Sequence, residues 1–181
     1  CSPRPSPRGP RRTGTTARRR DVIDLHCHST ASDGHLPPSE VVRHAAEIGL
    51  TAIALTDHDT LGGLAEATAA GASLGVRVIG GCEFSVAAAW GEMHLLGYFL
   101  QPGDADIEHF LVSARTDRSR RAREMVTRLV GLGVRIGYDD VEREADGGAV
   151  GRPHVARALL RVGLVTTEQQ AFDKYLGRGR P

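Results

Sequence analysis

Short apolar runs alternate along this chain with longer segments in which apolar residues recur at helical spacing. The apolar runs have the length and composition of buried strands, and they occupy residues 22–26, 51–56, 77–85 and 92–100. Helical spacing, alanine-rich composition and boundary Gly, Pro or Thr residues predict helices at residues 37–49, 62–75, 104–132, 139–145, 153–162 and 167–176. Strand and helix therefore alternate through the first half of the chain.

That order, with nearly continuous apolar strands, predicts an α/β fold with parallel strands in a sheet and helices outside it. The third and fourth runs lie close enough in sequence to pair through a turn near residues 87–91. Four strands are too few to decide between part of a barrel and an open doubly wound sheet.

The first 20 residues differ in composition from the rest of the chain. They contain seven arginines and no acidic residue, and they are rich in Pro, Ser, Gly and Thr. Such a segment buries too little apolar surface to offset the entropy of ordering it, so residues 1–20 are predicted to be a disordered Arg/Pro-rich tail. A solvated extension is favoured over a tail that contacts nucleic acid.

Residues 21–181 form the predicted folded part, and this part is acidic. The whole chain has 23 basic and 22 acidic residues, so without the seven tail arginines 16 basic residues face 22 acidic ones, a net charge of −6. A net negative charge is compatible with a site in which carboxylates surround cations. It does not favour a surface that binds specific duplex DNA, which needs clustered Lys and Arg. No apolar run approaches the ~20 residues that span a membrane.

Three cysteines, Cys1, Cys27 and Cys82, are scattered along the chain and form no CxxC pair. This pattern predicts neither a zinc knuckle nor a thioredoxin motif, and it favours the reducing cytoplasm.

Residues with metal-ligand chemistry follow the predicted strands. His26 and His28 end the first strand with i, i+2 spacing. Because alternate side chains of a strand share a face, both imidazoles are predicted to point to one side and Cys27 to the other. A loop of small residues at 29–34 follows and lets Asp33 fold back over the same pocket.

The second strand ends in Asp57, His58 and Asp59. Three ionisable residues in a row are unusual at the end of a core strand, so His58 is predicted to be a metal ligand. Ligating histidines commonly donate their second N–H to a carboxylate, which makes Asp57 the candidate that orients His58. For Asp59 a helix N-cap or turn role is favoured.

The third and fourth strands contribute Glu83 and His94. A carboxylate inside an apolar strand is costly unless it is paired or bound to metal. Gly80 and Gly81 precede Glu83 and let the backbone approach a site closely. His94 alone would be interpreted as a core histidine, but the other candidates in register favour a metal role.

Two arginine-containing segments are candidates for binding an anionic substrate. Residues 151–154 (GRPH) open a predicted helix, whose N-terminus attracts anions, and an arginine can clamp a phosphate through two hydrogen bonds. Arg152 and His154 are therefore candidate substrate-binding residues, although a solvated arginine at a helix start explains the motif equally well. For the arginine run at 115–123, a solvated helix face is favoured over contact with a polyanion.

The candidate ligands are imidazoles and carboxylates without a thiolate, which favours Mn, Fe or Zn over a structural zinc. Two or more close divalent cations would bind a phosphate, lower the pKa of a bridging water and stabilise the leaving oxygen. The predicted chemistry is metal-dependent hydrolysis of a phosphate ester, with Asp33, His58 and Glu83 as candidate catalytic residues.

Several of these motifs, taken in order, resemble the PHP (polymerase and histidinol phosphatase) domain family. The matching segments are DLHCHSTASDG at 24–34, TDHDT at 56–60, the strand that contains Glu83, HLLGY at 94–98 and GRPH at 151–154. The last two are similar to the stand-alone phosphoesterase branch, which includes nucleoside 3′,5′-bisphosphate phosphatases and 5′-to-3′ exoribonucleases. The resemblance covers residues 21–181.

The resemblance implies a distorted, TIM-like (β/α)7 barrel with two or three divalent ions per complete domain. It implies that His26, His28 and Glu83 hold the first ion, that Glu83 and His94 share in the second, and that Asp33 and His58 hold the third. The family completes these sites with a later Ala-His-Pro histidine and a C-terminal Asp-x-His pair. The C-terminal part of this chain contains neither, so residues 21–181 are expected to be an incomplete, N-terminal portion of the domain.

The leading hypothesis is removal of phosphate from a small phosphorylated substrate, namely a nucleotide or a short RNA end. The alternative enzyme is a histidinol-phosphate phosphatase. The non-catalytic alternatives are a metal-binding module, such as those attached to polymerases, and an inactive fragment with unpaired sheet edges.

Overall fold

Four strands form one sheet in the computed structural model, which describes residues 22–89 and 91–177. They lie side by side in chain order as β1 (Ile23–Cys27), β2 (Ala52–Leu55), β3 (Arg77–Ala88) and β4 (Gly91–Tyr98). Each corresponds to a predicted apolar run, and β3 continues past its predicted end at residue 85. The tail at 1–20, which was predicted to be disordered, lies outside the described residues.

The helices also follow the predicted pattern. They are α1 (Pro38–Glu47), α2 (Leu64–Leu74), α3 (Ala105–Gly131), α4 (Tyr138–Ala145), α5 (Arg152–Arg161) and α6 (Glu168–Ala171). The last predicted helix is divided, because α6 continues into a π-helical turn at Phe172–Leu176.

Polar caps explain where two of the helices begin. The Asp104 carboxylate accepts hydrogen bonds from the N–H groups of Asp106 and Ile107 at the start of α3. Thr167 Oγ1 accepts from the Gln170 N–H at the start of α6. The Gln170 side chain in turn accepts from the N–H of Thr166, one residue before the cap.

The sheet is mostly parallel. β1 pairs with β2 and β2 with β3 in parallel, whereas β3 and β4 form an antiparallel hairpin. Parallel neighbours need a long crossover, which α1 and α2 provide, and the short turn between β3 and β4 permits only antiparallel pairing. The α/β prediction is confirmed as a curled, parallel-rich half-barrel with helices outside.

Two main apolar clusters hold the elements together. One packs α1 and α2 against the sheet through residues such as Val42, Ile53 and Leu64. The other joins α3 to α6 and includes Leu129 and Leu159.

The Cys27 side chain packs against the cluster beneath β2, on the side predicted for it. Burial and the nearby Asp24 raise the pKa of the Cys27 thiol to about 12, which keeps it protonated. Within the described ranges no helix has the length and apolar character needed to cross a membrane.

Candidate metal centre

Glu83, on β3, contacts side chains from the end of β1 and from β4. Its Oε2 lies 2.8 Å from His26 Nε2 and 3.0 Å from His28 Nε2 at the end of β1. Its Oε1 lies 2.6 Å from His94 Nδ1 on β4. Burial opposes ionisation of Glu83, but the hydrogen bonds and charges of the surrounding histidines outweigh it and lower the pKa of this carboxyl. Glu83 is therefore a buried carboxylate that faces imidazoles on both of its oxygens.

A second carboxylate, Asp33, faces the same cluster from the loop after β1. Asp33 Oδ1 lies 3.4 Å from His28 Nδ1, and Asp33 Oδ2 lies 3.4 Å from His58 Nε2. Burial raises the pKa of Asp33, but His58, His28 and Arg118 lower it by more, so this side chain stays ionised. The loop of small residues thus returns Asp33 to the histidines, as the sequence predicted.

All six predicted ligands lie in one continuous cluster. They form three overlapping groups in which the possible ligand atoms lie within 4.8 Å of one another: His26, His28 and Glu83; His28, Asp33 and His58; and His58, Glu83 and His94. The first group is the set that the resemblance implies. The second group adds His28 to the implied pair Asp33 and His58. The third group adds His58 to the implied pair Glu83 and His94.

Two observations fit divalent cations in this cluster. His58 Nδ1 is buried without a hydrogen-bond partner, which is costly for a polar atom unless a cation or water satisfies it. Burial and the neighbouring His58 lower the pKa of His28, which favours the neutral imidazole that ligates metals. The nitrogen and oxygen donors, without a thiolate, suit a catalytic rather than a structural ion.

The structure corrects the predicted role of Asp57. This carboxylate is buried and accepts hydrogen bonds from the Ser29 N–H at 2.7 Å, from Ser29 Oγ at 2.6 Å and from Ser32 Oγ at 2.6 Å. It therefore fixes the loop that carries Asp33, and it does not hold the His58 ring, whose Nδ1 has no hydrogen-bond partner. Sequence reasoning missed this because the partners lie more than 20 residues away.

Asp59 is not a helix cap, because α2 starts only after Gly63. It occupies a tight turn with a positive φ of 51°, which aspartate tolerates better than most residues. Its carboxylate is fully buried, pairs with Arg118 Nε, and accepts a hydrogen bond of 2.8 Å from the Ser85 N–H. Asp59 therefore joins the turn after β2 to β3 and to helix α3.

Arg118 differs from the solvated helix face predicted for the arginine run. It is 7% exposed, whereas the side chains of Arg120 and Arg123 on the same helix are each 59% exposed. A signal was present in the sequence, since Arg118 continues the helical spacing of the buried residues Leu111 and Ala114.

A cavity of about 200 Å³ opens beside the cluster. Asp33, His58 and His94 line it, and Arg118, Arg121 and Arg152 in the same lining contribute positive charge. Arg152 is the first residue of α5, is exposed, and is one of the residues that line this cavity.

His154 occupies a different environment. It is 1% exposed, its Nδ1 accepts a hydrogen bond of 2.9 Å from the Gly151 N–H, and the backbone of Ser32 also hydrogen-bonds to it. Burial and the nearby Arg157 lower its pKa to about 4, so the ring is neutral. In this position His154 fixes the start of α5, and it does not line the cavity beside the cluster.

Comparison with known proteins gives one family. The model for the PHP domain matches residues 24–161. The 5′-3′ exoribonuclease of Haemophilus influenzae is 40% identical over 157 residues, which is 87% of this chain and 57% of the relative. The 3′,5′-nucleoside bisphosphate phosphatase of Chromobacterium violaceum is 41% identical over 162 residues, 88% of this chain and 56% of the relative.

A solved structure agrees with these sequence relatives. An amidohydrolase from Chromobacterium violaceum, described with bound sulfate and no metal, superposes with a TM-score of 0.81 at 40% identity. The match covers 88% of this chain and 56% of that protein. The chain thus spans about half the length of the curated relatives it matches. Since the family model covers most of the chain and the fold agrees, this protein belongs to the PHP domain family.

Proposed function

We propose that this protein is a metal-dependent phosphoesterase that hydrolyses phosphate esters of nucleotides or of short RNA ends. The observation that supports it most directly is Glu83, a buried carboxylate within 3.0 Å of nitrogens from three histidines that come from two other strands. A buried carboxylate is costly without positive charge beside it, so several ligand nitrogens around Glu83 favour a metal centre over a packing role.

The proposed ligands fall into the three overlapping groups. His26, His28 and Glu83 would hold one divalent ion, and His58, Glu83 and His94 would hold a second. Asp33 would hold a third together with His28 and His58. Mn, Fe and Zn are the candidate ions, because the donors are imidazole nitrogens and carboxylate oxygens.

Divalent cations, when bound here, would supply Lewis-acid polarisation of a phosphoryl oxygen and a more acidic water at neutral pH. Glu83 and Asp33 stay ionised and would neutralise the cations. Asp33, His58 and Glu83 are the proposed catalytic residues, since Asp33 and His58 line the cavity and Glu83 connects two of the ligand groups. Arg152 would contact the substrate phosphate from the start of α5.

The substrate class is proposed from the two curated relatives. One is named as a 5′-3′ exoribonuclease and the other as a 3′,5′-nucleoside bisphosphate phosphatase, and both names describe phosphate esters of nucleotides. The cavity beside the cluster is lined by both arginines and candidate metal ligands, which suits a small anionic substrate.

Phosphate release and metal content test the proposal together. We expect the protein to bind divalent metal and to release inorganic phosphate from a nucleoside 3′,5′-bisphosphate with Mn²⁺, and to lose this activity after chelation. His26→Ala should reduce turnover on the order of 10²-fold or more and lower the metal content, because it removes a ligand at Glu83. His44→Ala is the matched control, since His44 is exposed on α1 and belongs to none of the three ligand groups.

Three results would contradict the proposal in different ways. Absence of bound divalent metal would exclude the metal centre. Stoichiometric metal without turnover of any phosphate ester would indicate a non-catalytic binding module. Faster turnover of histidinol phosphate than of nucleotide substrates, assayed side by side, would assign the alternative phosphatase.

A further inference from the structure

A buried ion pair lies directly behind the proposed metal centre. Asp59 is fully buried and Arg118 is 7% exposed, and the two side chains pair through Arg118 Nε. Taking both charges out of water is expensive, and apolar residues of similar volume often replace such pairs without loss of stability. Stabilisation of the fold is therefore a weak explanation for this pair. Its position next to the proposed metal centre indicates a role in binding instead.

Contacts on two sides fix the orientation of the Arg118 guanidinium. Nε pairs with the Asp59 carboxylate, and Nη2 donates a hydrogen bond of 2.7 Å to Ser85 Oγ. The Asp59 turn is itself held, because Arg115 Nη1 donates to the Asp59 carbonyl oxygen at 3.1 Å. A planar guanidinium held at two of its nitrogens has little rotational freedom left.

The third nitrogen, Nη1, faces the cavity beside the cluster. A Cβ atom added at Gly151, which also lines the cavity, would lie 3.4 Å from Nη1, so the glycine leaves space in front of this donor. Asp33, His58 and His94 line the same cavity, and Arg118 is close enough to Asp33 to lower the pKa of that carboxyl. The remaining donor of a rigid cation thus points to the space where a substrate would meet the proposed metal ligands.

We propose that Arg118 contacts a phosphate oxygen of the substrate through Nη1, and that Asp59 is the positioning residue that holds Arg118 in this orientation. The inference rests on the proposed phosphoesterase function and extends it to residues outside the ligand set. Arginine suits the role because a charge-assisted hydrogen bond from an oriented guanidinium to phosphate is strong. The N-terminus of α5, on the Gly151 side of the cavity, adds a partial positive charge.

Arg118→Lys and Gly151→Ala test the contact in two independent ways. The lysine keeps a positive charge opposite Asp59 but cannot hold Asp59, Ser85 and a phosphate together. The alanine leaves the ion pair intact and places a methyl group in front of Nη1, and the φ of −149° at this position suits alanine. Arg120→Lys is the matched control, because Arg120 lies on the same helix and is exposed.

We expect Arg118→Lys to raise KM for a nucleoside 3′,5′-bisphosphate by about 10- to 100-fold, the range for a lost hydrogen bond to a charged group. Gly151→Ala should raise KM by a smaller factor, and Asp59→Asn should raise it because Arg118 is no longer held. Metal content should stay at the wild-type value in each case. If Arg118 and Asp59 only stabilised the fold, replacing them would lower the melting temperature without this selective change in KM.

Titration with inorganic phosphate separates this inference from the proposed function. Binding of phosphate to the metal-loaded and the metal-free protein can be measured by calorimetry, whether or not the protein turns over a substrate. We expect weaker binding to Arg118→Lys and to Gly151→Ala than to wild type and Arg120→Lys. Equal phosphate affinity in all four proteins, or an unchanged KM in folded Arg118→Lys, would overturn the role of Arg118 even if the phosphoesterase activity is confirmed.

Discussion

Replacing Asp57 by asparagine tests how the loop before α1 is held. The Asp57 carboxylate is 2% exposed and accepts three hydrogen bonds, from the Ser29 N–H, Ser29 Oγ and Ser32 Oγ, all between 2.6 and 2.7 Å. Asparagine has nearly the same shape but offers one acceptor oxygen and no charge. The Asp57→Asn change therefore perturbs the electrostatics of the loop and leaves its packing intact.

The expected loss of stability follows from these three contacts. A hydrogen bond to a charged group contributes ~1.5–3 kcal/mol and a neutral one ~1 kcal/mol, so losing charge assistance on three bonds costs ~1.5–6 kcal/mol. For a domain of this size each kcal/mol lowers the melting temperature by ~2–4 °C, which predicts a fall of roughly 3–24 °C. The loop also carries Asp33 and lies against His28, so metal affinity should fall by ~10- to 100-fold.

Denaturant unfolding and metal titration measure the two effects. Asp117→Asn is the control, because the Asp117 side chain is 54% exposed and pairs with Arg120 on the surface of α3, where the same chemical change should cost little. The reasoning is refuted if Asp57→Asn unfolds at the same denaturant concentration as Asp117→Asn and binds metal as tightly as wild type.

Three further predictions concern single positions. Gly34→Ala should destabilise the protein by ~1–3 kcal/mol or more, because the added Cβ would lie 2.6 Å from the carbonyl oxygen of His28, which is backbone and cannot move aside easily. Denaturant unfolding measures this loss, and wild-type stability of the variant would contradict the prediction. In the folded protein the pKa of His154 is lowered from its ordinary value of 6.5 to about 4. The free energy of unfolding therefore falls as the pH drops from 6.5 to 4, by up to about 3 kcal/mol. His154→Gln, which can still accept from the Gly151 N–H, should show a shallower loss of melting temperature over that interval, and an unchanged slope would count against it. Thr167→Ala should cost ~1 kcal/mol through the lost cap on Gln170, measured by denaturant unfolding, and no change would show that the cap is not needed.

Local periodicity predicted the elements of this fold well. The apolar runs became strands and the amphipathic segments became helices, because side-chain spacing of two or 3.6 residues reports directly which face is buried. Thr167 marked the start of the last helix, since its side chain bonds to an N–H group only three residues away. The division of the last helix into α and π turns carried no comparable local signal.

The roles of individual acidic residues were harder to predict. Asp57 and Asp59 follow the same strand and look alike in sequence, yet one fixes a loop near Ser29 and the other pairs with Arg118. Asp59 and Arg118 lie 59 residues apart, and their contact depends on how α3 crosses the end of the sheet. No pattern within a short window records such a crossing.

By itself, the sequence determined the order of strands and helices and the common side of His26 and His28, because these depend on the twofold repeat of a strand and on local spacing. It also identified which polar residues follow the strands. Only the tertiary structure decided that His94 from an antiparallel strand reaches Glu83 at 2.6 Å, and that Arg118 turns inward behind the cluster. Those contacts depend on strand register and helix packing between residues far apart in the chain, which are set by the burial of the whole core.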